Sequence, residues 1–167
     1  MQTPPLFTET QRFRQWWMWL LLLIGNGILL YAIVSQMIFD KPFGDDPVSD
    51  NELLLAFGLV LLLTLLFMRF TLVTKITNNH ISVRFFPLHR KPKIYAWEDI
   101  AKAEVVTYSP LWDYGGWGIR FNLFGKGWAY NVSGNQGLML TFKDGKKRLI
   151  GTQRAEELRR VVEGVVM

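Results

Sequence analysis

The sequence contains no cysteine and only two histidines among its 167 residues. The lack of cysteine excludes disulfide bonds, thiol catalysis and cysteine-based metal sites. Neither His80 nor His89 has a second histidine or a carboxylate at the spacing of a metal site, which requires three or four clustered ligands. The sequence therefore predicts solvated histidines, with neither a metal ion nor another cofactor.

Motifs of nucleotide binding and nucleophilic catalysis are also missing. Residues 114–137, YGGWGIRFNLFGKGWAYNVSGNQG, hold seven of the 14 glycines, yet neither G-x-G-x-x-G nor G-x-x-x-x-G-K-[ST] occurs. Strand-like segments follow these glycines, whereas a phosphate-binding loop leads into a helix. Ser133 lacks the G-x-S-x-G context of a nucleophile elbow. We interpret the glycines as turn and bulge positions and predict a protein that is not an enzyme, although a site assembled from scattered residues would leave no such pattern.

Charged residues are scarce as well, at 20% of the chain against 50% hydrophobic residues, a composition that favours a membrane protein. Two apolar runs, residues 16–39 and 53–70, are long enough to cross a bilayer, which takes about 20 residues. Buried core helices are the alternative. A cleaved signal peptide is excluded for the first run, because it is too long and no cleavage site with small residues follows. The two runs predict a transmembrane helical hairpin.

The distribution of Lys and Arg predicts how this hairpin is oriented in the membrane. The connecting loop, residues 40–52, carries one lysine and five carboxylates, whereas basic residues flank the two runs on their other ends. Because Lys and Arg concentrate in cytoplasmic segments, residues 1–15 and 71–167 are predicted to be cytoplasmic and the acidic loop extracytoplasmic. This arrangement predicts an integral protein of a bacterial inner membrane with both termini in the cytoplasm. The formal net charge of +5 is not taken to indicate nucleic-acid binding, because the domain is tethered and no recognition motif occurs.

Gly25, Asn26 and Gly27 lie near the middle of the first run. Small residues and amides are typical of contacts between membrane helices, so these three residues are candidates for a helix–helix contact. The alternative is an uncharged amide that the bilayer tolerates. Three tryptophans lie at the start of the run: Trp16, Trp17 and Trp19. They either anchor the helix at the membrane–water interface or are simply large apolar side chains that face lipid.

From Thr71 onward, apolar and polar residues alternate as in strands with one buried face. Turn signals separate these segments, and Asp144-Gly145 is the strongest of them, because both residues tolerate the backbone of a tight hairpin. About seven antiparallel strands in a sandwich or barrel are predicted. The residues predicted to face the core are Ile81, Val83 and Phe85; Ile119, Phe121 and Leu123; Trp128, Tyr130 and Val132; and Leu138, Leu140 and Phe142.

A C-terminal amphipathic helix is predicted after the strands, where it could close an open barrel end. Thr152 is its expected N-cap, and glutamates in the first turn suit the helix dipole. Its apolar stripe, spaced i, i+3, i+4 and i+7, consists of Leu158, Val161, Val162 and Val165.

The segments YAWEDIAKAEV, YGGWGIR and GKGWAYNVSGNQGLMLTFKDGKKRLIGTQRAEEL carry a family resemblance. Residues 71–164 resemble bacterial pleckstrin-homology-like proteins that have an N-terminal two-helix membrane anchor. The resemblance implies an antiparallel β-barrel or sandwich closed by a C-terminal helix, used as a scaffold for lipids or proteins rather than as a catalyst.

Five basic side chains are candidates for binding the anionic headgroups of phospholipids: Arg84, His89, Arg90, Lys91 and Lys93. Pleckstrin-type domains that bind inositol lipids use basic residues near their first hairpin, and each cation near an anionic surface contributes about 1 kcal/mol. The alternative is that these side chains bind nothing and are only solvated, because the positive-inside rule already predicts basic residues next to a membrane helix.

Aromatic residues cluster in and beside the glycine-rich stretch. Trp112, Tyr114 and Trp117 are candidates for a protein interface, because exposed aromatic side chains mark such surfaces. The alternative is a loop that folds its rings back over the domain. The leading functional hypothesis is therefore a membrane-anchored scaffold that binds a protein partner or its own copies, and headgroup recognition is the second.

Overall fold

The computed structural model of the protein describes residues 4–122 and 125–166. The chain is an α+β protein that divides into two units. The helical unit comprises residues 14–69, and the β-sheet unit comprises the residues up to Phe13 together with those from Phe70 onward.

The helical unit consists of two apolar helices. Helix α1 (Trp16–Ile33) continues as a π-helical turn (Val34–Ile38), and α2 spans Asp50–Arg69. Both are long and apolar enough to cross a membrane, and very little of either is buried within the protein. Helix α2 begins three residues earlier than the apolar run, because Ser49 and Glu52 form a capping box in which the Glu52 carboxylate accepts from the Ser49 N–H at 3.0 Å.

The β-sheet unit contains nine strands among its described residues, arranged in two sheets. Sheet A has the order β1-β2-β3-β4 and sheet B the order β5-β8-β9-β7-β6, with every neighbouring pair antiparallel except β7 and β9. The strands are β1 (Phe7–Arg12), β2 (Thr71–Ile76), β3 (His80–Phe86), β4 (Lys93–Ala96), β5 (Ile100–Thr107), β6 (Gly118–Asn122), β7 (Gly127–Asn131), β8 (Gln136–Phe142) and β9 (Lys147–Thr152). A 3₁₀ turn (Trp97–Asp99) connects the sheets.

Strand β1 precedes the helical unit in sequence but pairs with β2, which follows it. The register runs from Phe7 opposite Ile76 to Arg12 opposite Thr71. Residues 1–15 are predicted from the sequence to be a plain cytoplasmic segment, but six of them, Phe7–Arg12, form a strand of the β-sheet unit. The strand was not predicted because two of its inward-facing residues, Glu9 and Gln11, are polar. The Glu9 carboxylate accepts from the Thr152 hydroxyl at 2.6 Å, and the Gln11 amide donates to the Gly151 carbonyl at 2.7 Å.

Of the predicted barrel or sandwich, a closed barrel is not formed by the described strands. The described strands make two open sheets, because the parallel pairing of β7 with β9 leaves β5 and β6 as the edges of sheet B. Eight strands, rather than about seven, follow the helical unit.

A short helix, α3 (Pro110–Tyr114), follows β5 in the chain. Helix α4 (Ala155–Val166) packs against β5 and β8, and its predicted stripe faces inward: Leu158 and Val162 are buried. Thr152 lies three residues before its first turn, where its hydroxyl accepts from the Arg154 N–H at 3.0 Å. The Asp144-Gly145 turn connects β8 and β9 as a hairpin, with Gly145 at a φ of +80°.

The strand patterns identify the core correctly in β3, at Tyr130 and Val132, and at Leu138 and Leu140 of β8. Phe121 and Trp128, predicted to face the core, are exposed, and their rings lie 5.0 Å apart. The alternation in β7 is lost because Ala129, Tyr130 and Asn131 are all buried. Leu123 lies outside the described residues.

Candidate functional site

A short helix, α3 (Pro110–Tyr114), presents the most exposed tryptophan of the β-sheet unit. Ser109 caps its N-terminus by accepting from the Trp112 N–H at 3.4 Å, and Pro110 fits the first turn, where no N–H is needed. Gly115 ends the helix in the left-handed conformation at a φ of +69°. Trp112 projects from this helix with 91% of its surface exposed.

Helix α3 is held to the neighbouring hairpin by Asp113. Its carboxylate accepts from the Ser109 N–H at 2.8 Å and from the Lys126 ammonium at 2.6 Å, and its carbonyl accepts from the Asn122 amide. The Lys126 and Ser109 donors hold the pKa of Asp113 below its usual value. These contacts tie α3, which carries Trp112, to the segment that contains Asn122 and Lys126.

Four exposed apolar side chains lie together here and form what we term the aromatic platform: Leu111, Trp112, Phe121 and Trp128. Leu111, Trp112 and Phe121 border one cavity of about 280 Å³. Phe121 and Trp128 are cross-strand partners on β6 and β7. Exposed apolar clusters of this kind mark interaction surfaces.

The three residues predicted to form a protein interface differ in how exposed their side chains are. Trp112 is exposed, Trp117 is half-buried, and Tyr114 is buried, with 5% of its surface exposed. Tyr114 packs edge-to-face on Tyr108 at a centroid distance of 5.9 Å, and burial raises its pKa to about 12. Residues two positions apart on a helix point to opposite sides, so the turn that exposes Trp112 buries Tyr114, which therefore supports the surface from beneath. Sequence reasoning missed Phe121 because its strand pattern pointed inward, and Leu111 because nothing predicted α3.

Three of the five predicted headgroup residues are engaged within the domain. The Arg84 Nε donates to the His89 carbonyl at 3.3 Å. His89 accepts from the Phe85 N–H at 3.3 Å through Nδ1 and packs edge-to-face on Tyr130 at 5.5 Å. Burial and the nearby Lys93 lower the pKa of His89, so the ring is neutral at pH 7. The Lys93 ammonium donates to the Tyr130 hydroxyl at 2.9 Å.

The other two, Arg90 and Lys91, are exposed and have no hydrogen-bond or ion-pair partner in the described part of the chain. They lie in the β3–β4 loop, residues 87–92. Leu88 in that loop and Ile94 just after it are 60% and 62% exposed. The loop thus combines free cations with exposed aliphatic side chains.

Asn26 connects the two helices of the helical unit. Its amide donates to the Thr64 hydroxyl at 2.9 Å and to the Leu22 carbonyl at 2.7 Å. A Cβ at Gly25 would lie 3.8 Å from Val60, whereas one at Gly27 would meet nothing within 4 Å. Of the three candidates, Asn26 and Gly25 therefore face α2.

In residues 4–122 and 125–166 no three side chains of His, Asp or Glu lie close enough together to hold a metal ion. No protein-family model matches the chain, and no curated protein matches its sequence.

Proposed function

We propose that this protein is a membrane-anchored, non-enzymatic scaffold. Its β-sheet unit, a domain of the pleckstrin-homology type, binds a partner protein or a second copy of the chain through the aromatic platform. The anchor is the helical unit, whose long apolar surfaces are stable in a bilayer rather than in water. Linkers of a few residues tether the β-sheet unit to the cytoplasmic side of a bacterial inner membrane.

The observation that carries this proposal is the exposure of Trp112. An exposed tryptophan on a mobile loop would lose conformational entropy when it bound, whereas α3 holds Trp112 through the Ser109 cap and the Asp113–Lys126 pair. Tryptophan is enriched among the residues that dominate binding energy at protein interfaces.

The test is to purify the tagged full-length protein from its native membrane in mild detergent. The mass of the complex is measured by light scattering and its components by mass spectrometry. We expect a defined complex that Trp112→Ala reduces at least about tenfold in affinity, the effect of about 1.4 kcal/mol.

Leu88→Ala is the control, because Leu88 is also a large apolar residue that is mostly exposed, at 60%, but it lies outside the aromatic platform. Thermal denaturation verifies that both variants are folded. A complex that survives Trp112→Ala and Phe121→Ala unchanged would overturn the proposal.

A second candidate function, recognition of anionic lipid headgroups, is favoured by the β3–β4 loop. Arg90 and Lys91 are free to contact phosphates while Leu88 enters the interface. Because the chain has no cysteine, Leu88→Cys can carry a polarity-sensitive dye in full-length protein embedded in nanodiscs. We expect a blue shift in anionic but not in zwitterionic nanodiscs, lost with Arg90→Gln and Lys91→Gln together. An identical spectrum in both lipids would remove this candidate.

A further inference from the structure

The outward face of sheet A carries basic side chains and no acidic ones. Burial alternates along its first three strands, so every second residue points away from the core. Three of the outward residues, Arg12, Lys75 and Arg84, are basic. The full outward set is Thr8, Thr10 and Arg12 on β1; Thr71, Val73 and Lys75 on β2; and His80, Ser82, Arg84 and Phe86 on β3.

Strand register brings the polar members of this set together. Lys75 lies opposite Ser82, and Val73 lies opposite Arg84. These four residues and Pro92 line a cavity of about 220 Å³, the bulk-liquid volume of about seven water molecules. A phosphate group with part of its hydration shell fits that space.

Arg84 is held in place before any ligand arrives. Its Nε donates to the His89 carbonyl at 3.3 Å, and its guanidinium lies 5.4 Å from the centre of the Phe86 ring. The two terminal nitrogens have no partner among the described residues, so both remain available as donors. A fixed guanidinium loses little entropy when it binds a planar pair of oxygens.

The positive charge of this face is not neutralised by the protein. Lys75 and Arg84 form no ion pair within the described residues, whereas Lys126, Lys146 and Arg154 pair with carboxylates elsewhere on the β-sheet unit. The apolar walls of Val73 and Pro92 lower the local dielectric constant, which strengthens the attraction of an anion.

We propose that this cavity is a binding site for a phosphate group. Arg84 donates two hydrogen bonds from its terminal nitrogens, Lys75 supplies a second positive charge, and the Ser82 hydroxyl donates to a third oxygen. This is the donor set that recognises phosphate in proteins. The phosphate belongs either to a lipid headgroup or to a soluble phosphate compound. The site uses neither the aromatic platform nor Arg90 and Lys91, and it shares only Arg84 with the five basic residues predicted to bind headgroups.

The test uses full-length protein in non-ionic detergent. Isothermal titration calorimetry measures binding of inorganic phosphate and, separately, of short-chain phosphatidic acid in the same detergent. We expect one site per chain, weakened at least about tenfold by Lys75→Gln and by Arg84→Gln, because each variant removes a positive charge beside the anion. Ser82→Ala should weaken binding less, about threefold, because it removes one uncharged donor that water can replace.

Lys91→Gln is the matched control: it removes a neighbouring cation outside the cavity, and binding should be unchanged. Arg84→Gln also removes the bond to the His89 carbonyl, so Lys75→Gln, which breaks no contact within the described residues, is the decisive variant. Binding of both probes identifies a soluble-phosphate site, and binding of phosphatidic acid alone identifies a lipid site. Binding of neither probe, or binding that Lys75→Gln and Arg84→Gln leave intact, overturns the proposal.

Discussion

Gly127 occupies a position that no side chain can share. Its φ is +71°, and a Cβ would overlap the backbone carbonyl of Lys147 on the adjacent strand β9. We expect Gly127→Ala to lower the free energy of unfolding by about 3 kcal/mol or more, because a strained φ and a backbone clash combine. Denaturant titration of the full-length protein in detergent measures the loss.

Gly125→Ala separates the two contributions. Gly125 also has a positive φ, +81°, but among the described residues no atom other than those of its chain neighbours lies within 4 Å of its Cβ position. This variant should lose only about 1 kcal/mol, the cost of the left-handed conformation. Equal losses in the two variants would show that the close approach of β9 is not what requires glycine at position 127.

Asp113 makes the support of Trp112 dependent on pH. Its pKa is depressed by Lys126 and Ser109, so its stabilising contribution is fully present above the ordinary aspartate pKa of about 3.9. That contribution is lost as the pH falls through the lower folded-state pKa. Asp113→Asn should therefore cost about 1 kcal/mol at pH 7 and nothing near pH 2.

Thermal denaturation of the wild type and of Asp113→Asn between pH 7 and pH 2 measures this difference. Asp144→Asn serves as the control, because the Asp144–Lys146 pair is exposed and should contribute little at any pH. A difference between Asp113→Asn and the wild type that persists at pH 2 would assign the effect to packing rather than to charge.

Strand β1 makes the β-sheet unit discontinuous in sequence. Residues 71–167 alone lack the strand that covers one edge of β2, and they leave the Thr152 hydroxyl and the Gly151 carbonyl without their partners on Glu9 and Gln11. Each buried polar group left without a partner costs about 1–3 kcal/mol. We expect residues 71–167 to aggregate when expressed alone.

A shortened chain tests this directly. Arg12 and Thr71 are directly opposed on antiparallel strands, so Asn-Gly can join residues 4–12 to residues 71–167 in a two-residue hairpin. We expect this variant to fold as a soluble domain with a cooperative thermal transition. Equal folding with and without residues 4–12, measured by circular dichroism, would contradict the role given to β1.

The pairing of β1 with β2 also constrains how the whole molecule can lie in a membrane. The chain leaves β1, passes through the two helices and returns to β2 of the same sheet. One sheet cannot be divided by a bilayer, so the proposed membrane anchor requires both ends of the helical unit to lie on the same side. The proposal then puts the acidic loop on the opposite side, as the positive-inside rule also predicts.

Cysteine labelling in intact cells measures this topology, and the cysteine-free wild type gives the background. A membrane-impermeant maleimide should label Asp45→Cys in spheroplasts and Lys143→Cys only after the membrane is permeabilised. Labelling of Lys143→Cys in intact spheroplasts would place the β-sheet unit outside the cytoplasm and remove every cytoplasmic partner proposed for it.

Much of the candidate site could not be predicted from the sequence. Trp112 and the pair Arg90 and Lys91 were identified as candidates from their residue types and from their position between predicted strands, and all three are exposed. Tyr114 was a candidate for the protein interface and is buried, whereas Trp128 was predicted to be buried and is exposed. Both errors concern aromatic side chains, whose large apolar surface and polar edge suit either environment.

The sequence by itself determined the features that depend on neighbours along the chain. These are the two apolar helices, the buried face of β3, the β8–β9 hairpin and the apolar stripe of α4. Only the tertiary structure decided which distant segments pair: β1 with β2 across the helical unit, β7 in parallel with β9, and Lys75 beside Ser82 and Arg84 on one face. The pattern of apolar and polar residues in a segment depends on which of its side chains contact water. The pairing of distant strands depends on the packing of the whole β-sheet unit, so it cannot be predicted from any one segment.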